Sequence, residues 1–207
     1  MRTVKLGLMT FVGGYTLVLL GVEYRWGQDY VRNYFTDITG PVRFWGVNTT
    51  LSNFVLWAIA LLFFVCWLWA RENKEDLKKQ LFYGLQVLIF AYLGADERFM
   101  LHEWLGDLLN FNDAWFLLAV GAVELWALFF LGDVLNQTRR VKGYLFAAGA
   151  LFGVMVFFDV FVPHRMVLRL SIEDLAKLWS DVFLLLFAWE IFKQQVRRLV
   201  AAGGASP

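Results

Sequence analysis

Leu81-Phe-Tyr-Gly-Leu-Gln-Val-Leu-Ile-Phe-Ala-Tyr-Leu93-Gly-Ala-Asp-Glu-Arg-Phe-Met-Leu-His-Glu-Trp-Leu-Gly-Asp-Leu-Leu109 joins a long apolar run to a dense polar cluster. Asp96, Glu97, His102, Glu103 and Asp107 fall within twelve residues of one another. In a water-soluble chain such a cluster would be an ordinary polar helix. After a membrane-length apolar run, ionisable groups are costly and mark functional candidates. The stretch holds one of the two histidines in the chain, and the other has a similar setting. Asp159-Val-Phe-Val-Pro-His164 repeats the order of Glu97-Arg-Phe-Met-Leu-His102: an acid, one residue, Phe, two residues, His.

Composition assigns the class. The chain of 207 residues is 59% hydrophobic, with 10 Trp and 21 Phe, and its mean hydropathy is +0.55. Soluble domains lie nearer about 45–50% apolar, so the expectation is an all-α, polytopic transmembrane helical bundle. The formal net charge of +1, with no basic stripe, excludes nucleic acid as a partner. The single cysteine, Cys66, lies in the apolar run Leu61-Leu-Phe-Phe-Val-Cys-Trp67 and reads as a small buried hydrophobe. A basic start, Arg2 and Lys5, precedes the apolar residues 6–22, but Glu23-Tyr-Arg-Trp follows in place of a small-residue cleavage site. These residues read as a first membrane span, not a signal peptide.

Six spans are expected, at about 6–22, 51–70, 81–101, 114–131, 144–162 and 175–192, each near the roughly 20 residues that cross a hydrocarbon core. Residues 23–50 mix aromatic and charged side chains and suit a segment lying in the interface. Thr49 or Thr50 is the expected cap of the second span. Twelve of the nineteen basic residues fall on one side of this arrangement, and twelve of the eighteen acids lie on or near the other. By the positive-inside rule both termini are then cytoplasmic. The lipid bilayer is the first partner, the location is a bacterial inner membrane, and further membrane subunits are compatible with the short loops.

The third and fifth spans both run outward, so Glu97 with His102 and Asp159 with His164 reach the same face. Glu124 follows about ten residues into the fourth span, roughly 15 Å deep at the rise of an α-helix. The sixth span opens with Ser171-Ile-Glu-Asp174, a helix-start pattern, and carries Asp181 just inside. Imidazoles and carboxylates together form the ligand inventory of a divalent metal centre, Zn or Fe. On this reading His102, His164, Asp159, Glu124, Glu103 and Asp96 supply the metal ligands. Glu97 and Asp181 are the acids left to handle protons in catalysis.

The spacing is not that of Glu-x-x-His bundle sites. Glu97 and His102 are five apart, about 140° around a helix. Pro163 supplies a break in the fifth span, whereas the third span shows no such device. The alternative within the third span pairs Asp96 with Glu103 on one face, with His102 at its flank. Structural roles compete for the same groups: Asp159 with Arg165 or Arg169, Asp96 or Glu97 with Arg98, and Glu190 with Lys193 one turn away. An isolated acid in Val120-Gly-Ala-Val-Glu-Leu-Trp126 needs a partner or a proton. No phosphate-binding loop or nucleophile elbow is present.

Asp96-Glu-Arg-Phe-Met-Leu-His-Glu103 resembles the Asp-Glu-x4-His-Glu pattern of a group of uncharacterised bacterial polytopic integral membrane proteins. In that group an acid pair also opens the last span, matched here by Asp181 alone, and the resemblance implies no activity. A looser analogy is to membrane hydrolases of the alkaline ceramidase type, whose metal takes three histidines. With two histidines, this chain would need a carboxylate as the third ligand. Three functions follow as expectations: a metal site acting on a lipid-like substrate from the outer leaflet, a non-catalytic subunit or assembly factor of a larger membrane complex, and a proton or cation pathway through Glu124, Asp159 and Asp181.

Overall fold

A computed structural model describes residues 2–35, 46–110, 114–163 and 166–203. His164, Arg165, Asp113 and residues 36–45 of the expected interfacial segment lie outside the described residues. Every element among the described residues is helical. In chain order they are α1 (Arg2–Trp26), α2 (Gln28–Val31), α3 (Val47–Glu72), α4 (Leu77–Phe99), α5 (Leu101–Leu109), α6 (Ala114–Trp126), α7 (Arg139–Phe161) and α8 (Arg169–Gly203). A π-helical segment, Ala127–Leu131, continues α6.

Among the described residues three segments are long and apolar enough to cross a membrane: Lys5–Trp26, Val47–Glu72 and Arg139–Asp159. Trp115–Leu131 is apolar but shorter. α4 and α8 have the length but are interrupted by charge. α4 carries Lys78, Lys79, Asp96, Glu97 and Arg98, and α8 carries Glu173, Asp174, Lys177, Asp181, Glu190 and Lys193.

The chain divides into two compact units. The first comprises Met1–Leu51 and Ala147–Asp181. Its small core gathers Leu19, Val31, Phe35 and Leu175. α1 and α8 run antiparallel, because Trp179 Nε1 donates to Thr16 Oγ1 at 2.8 Å and the Ser171 N–H donates to Glu23 Oε2 at 2.9 Å. α7 and α8 pair in the same sense, with Ser180 Oγ donating to the Ala148 carbonyl at 3.0 Å. At Gly27 the backbone turns to φ 85°, a conformation glycine adopts without a Cβ clash, and α1 stops there. The sequence cap expected at α3 takes another form. Thr49 Oγ1 donates to the Phe35 carbonyl at 2.6 Å and Thr50 Oγ1 to the Gly46 carbonyl at 2.9 Å. Both hydroxyls therefore satisfy carbonyls, and neither accepts from the helix start.

The second unit comprises Ser52–Phe146 and Val182–Pro207. Its core centres on Phe63, whose ring lies 6.0–6.4 Å from those of Phe82, Tyr83, Phe90 and Phe187. Cys66 is fully buried in the same core. α3 and α4 pack antiparallel through glycines set against tryptophans. A Cβ on Gly94 would sit 2.9 Å from the Trp57 ring, and one on Gly84 3.2 Å from Trp67. Small residues admit such close approach where lipid removes the hydrophobic drive between helices. Asn53 Nδ2 fastens this contact by donating to the Gly94 carbonyl at 2.8 Å. α4 also packs on the π-helical segment: a Cβ on Gly132 would lie 2.6 Å from the Phe82 ring.

Candidate functional site

Within the second unit, α4 presents Gln86 to Glu124 on α6. Gln86 is fully buried, and its Nε2 donates to Glu124 Oε2 at 2.6 Å. The other two oxygens of the pair, Gln86 Oε1 and Glu124 Oε1, are buried without a hydrogen-bond partner. Among the described residues no cation pairs with this carboxyl group. Buried polar atoms are nearly always satisfied, so two orphan acceptors in one pair call for a donor. The next turn of the chain is the π-helical segment, closed by the Gly132 N–H bonding back to the Ala127 carbonyl at 2.8 Å. Such bulges concentrate at functional positions in helices.

The opening stretch of the sequence takes a form that its apolar spacing did not announce. α4 stops at Phe99 because Met100 adopts a left-handed conformation, φ 49° and ψ 47°, and its N–H bonds to the Asp96 carbonyl. The third span thus does contain a break. Asp96 is buried at that break. Its Oδ1 accepts from the His102 backbone N–H at 2.7 Å, and its Oδ2 lies 2.7 Å from His102 Nδ1. Asp96 therefore caps α5 from the preceding helix and aligns the imidazole as well. Glu103, paired with Asp96 on the alternative reading, is exposed on the first turn of α5. Glu97 is half-buried in the last turn of α4.

In the first unit Asp159 meets Arg169, one of the two arginines expected for it. The Arg169 guanidinium is buried and lies 3.3 Å from Asp159 Oδ1 and 3.0 Å from Glu173 Oε2. It also donates to the carbonyls of Phe158 at 3.2 Å, Asp159 at 3.0 Å and Val162 at 3.0 Å. These are last-turn carbonyls with no helical partner, so Arg169 caps α7 while opening α8. The echo of acid, Phe and His thus marks two helix ends: α4 stops at its Phe99 and α7 at its Phe161. Glu23, nearly inaccessible, places its carboxylate at the start of α8 through Ser171, where a negative charge complements the helix dipole. That is the correction to the Ser171 cap: Ser171 donates its N–H, and the acid comes from α1. Asp181 is buried further along α8, and Glu190 pairs with Lys193 as expected.

Of the expected ligands, Asp96 and His102 come together. Among the described residues no three His, Cys, Asp or Glu side chains form a group that could hold a metal ion. Asp96, Glu124 and Asp159 take separate partners, Glu103 is exposed, and His164 is outside the described residues. The sequence reading missed Gln86, Glu23 and the capping role of Arg169. Gln86 carried a usable signal, as the lone amide in the apolar run 81–93. Nothing local in the sequence signals that Glu23 and Ser171, 148 residues apart, meet.

Among the described residues, fold and site together define an all-helical protein with three membrane-length apolar helices and a carboxyl–amide pair between two helices. The chain belongs to the family described as Domain of unknown function (DUF8692), whose model matches residues 8–204. No curated protein and no solved structure matches it.

Proposed function

We propose that this chain is a six-span inner-membrane protein with both termini cytoplasmic, and that its Glu124 carboxyl group takes up and releases a proton or small cation within the bilayer. The orientation rests on the asymmetry of basic and acidic residues between the two faces. Helices stand at all six expected positions, including the charged α4 and α8.

One observation carries the functional reading: the Gln86–Glu124 pair has a single donor bond and two orphan oxygens. A proton on Glu124 Oε1 turns one orphan acceptor into a donor, and the Gln86 carbonyl oxygen is the acceptor waiting in the same pair. The amide serves both states, donating from Nε2 to the carboxylate and accepting at Oε1 from the acid. A small cation shared by the two oxygens would satisfy them in the same way. The metal-enzyme reading needs three ligands in one place, and the described residues bring no such group together.

The test is flux through the purified protein in liposomes under an imposed pH or sodium gradient. Flux that is lost in Glu124→Gln and weakened in Gln86→Leu supports the reading, and the gradient that drives it names the ion. Flux unchanged in Glu124→Gln, or absent from the wild type under either gradient, contradicts it.

A further inference from the structure

We infer that a cavity in the second unit, at the end carrying the basic loops, binds a phosphate group, presented by a lipid headgroup or as a free phosphate ester. The cavity has a volume of about 220 Å³, and its wall changes character with depth. Its floor is formed by Phe82, Tyr83, Leu131 and Ile191, and its rim includes Lys78 and Arg198. Lys79 also lines it but is held by Glu75 at 3.1 Å. Lys78 and Arg198 have no carboxylate within ion-pair distance among the described residues. Both line the cavity, although the Arg198 charge also acts on the Glu75 carboxylate.

The local backbone adds to this. α4 begins at Leu77 on the cavity's edge, and the Asp76 side chain makes no capping bond. The Lys79 N–H bonds to the Asp76 carbonyl at 3.0 Å, which leaves the N–H groups of Leu77 and Lys78 at the positive end of the α4 dipole. Helix starts of this kind accept phosphate oxygens. Asp76 and Asp133 also line the cavity. Asp133 accepts from Asn136 Nδ2 at 2.8 Å but keeps its charge, so an incoming anion has both Asp76 and Asp133 to tolerate. With Lys79 offset by Glu75, Lys78 and Arg198 stand against Asp76 and Asp133, so any preference for an anion comes from the placement of the two cations and not from net charge.

The position of the cavity fits a membrane lipid. Lys78, Gly132 and Gln194 border it, each within a few residues of the end of an expected span (81–101, 114–131 and 175–192). Charged pockets at the cytoplasmic ends of membrane helices recognise lipid headgroups. A lipid matches both parts of the wall, phosphate at the rim and glycerol backbone over the aromatic floor, whereas a free phosphate ester uses the rim alone. The leaflet rests on the orientation proposed above; the binding itself does not involve Glu124.

The test is native mass spectrometry of the full-length protein, delipidated in detergent and titrated separately with phosphatidylglycerol, phosphatidylethanolamine and inorganic phosphate. The expected result is one saturable adduct, weakened roughly fivefold or more in Lys78→Gln/Arg198→Gln, since each exposed charge contact contributes a few-fold in affinity. Gln194→Glu, which adds a negative charge to the lining, should weaken it independently. Both sets of positions lie at the surface or edge of the fold, and unchanged melting of the variants separates lost binding from lost structure. Competition by inorganic phosphate identifies the free source, and a lipid adduct that phosphate does not displace identifies the headgroup. A wild type with no saturable adduct, or variants that bind as the wild type does, would overturn the inference.

Discussion

Both carboxylate oxygens of Asp96 are engaged by His102, one through the backbone and one through the ring. Removing an acceptor that caps a helix costs about 0.5–2 kcal/mol, so Asp96→Ala should lower the melting temperature of the purified protein. Asp96→Asn, which keeps one acceptor, should recover part of the loss. Glu103→Gln, on the exposed side of α5, should change stability by no more than about 0.5 kcal/mol. Equal effects of Asp96→Ala and Glu103→Gln would contradict the capping role. Glu75 offers a pH-dependent test outside the membrane. Burial pushes its carboxyl group up, but hydrogen bonds from Gln195 and Lys79, with the Lys79 charge, outweigh this and hold it below its ordinary 4.5. A depressed carboxyl group contributes stability that is present above the unfolded-state value and lost as pH falls through the folded value. Melting temperature should therefore drop on acidification below about pH 4.5, and Glu75→Gln should flatten that drop. An identical acid limb in the variant would show that Glu75 has no such role.

At the scale of elements, the close contacts are set by glycine. Gly94→Ala places a methyl group 2.9 Å from the Trp57 ring, and overpacking of this kind costs about 1–3 kcal/mol. Gly84→Ala, at 3.2 Å from Trp67, should cost less, and thermal unfolding of the two variants orders them. The α7–α8 connection depends on Arg169. Arg169→Ala leaves three carbonyls without a donor and the part-buried Glu173 and exposed Asp159 without their cation, a loss of about 1–3 kcal/mol, the cost of leaving buried hydrogen-bonding groups unsatisfied. Lysine cannot reproduce the planar fork of donors, so Arg169→Lys should melt close to Arg169→Ala and not close to the wild type. Helix existence was legible here and helix ends were less so. The length of the apolar runs placed α3 and α7, but Met100 gave no warning, because non-glycine residues seldom adopt the left-handed conformation. The acid–Phe–His echo was visible in the sequence, yet its meaning as a pair of helix ends required the backbone.

At the scale of the whole molecule, composition and charge asymmetry were enough to assign an all-helical chain with membrane-length helices. They were not enough to assign partners to its acids. Asp159 went to one of its expected arginines because the two sit on adjoining helix ends. Glu124 went to Gln86, a partner that charge counting overlooks because an amide carries no charge. A metal cluster was the natural reading of two histidines and many carboxylates, but ligand inventory says nothing about convergence, and the described residues take local partners instead. The six-span orientation is checked by cysteine labelling: an outside reagent should reach positions 106–110 and spare positions 74–79, and the reverse pattern would invert the protein.

Proton uptake at Glu124 requires that its carboxyl group change protonation inside the fold. Infrared difference spectroscopy of the protein in lipid membranes, recorded between low and high pH, reads that directly through the carbonyl stretch of a protonated carboxyl group. The predicted result is a protonated-carboxyl band that titrates in the wild type, shifts in Gln86→Leu as its hydrogen-bond partner is lost, and vanishes in Glu124→Gln. A titrating spectrum that is the same in the wild type and in Glu124→Gln would contradict proton uptake at Glu124.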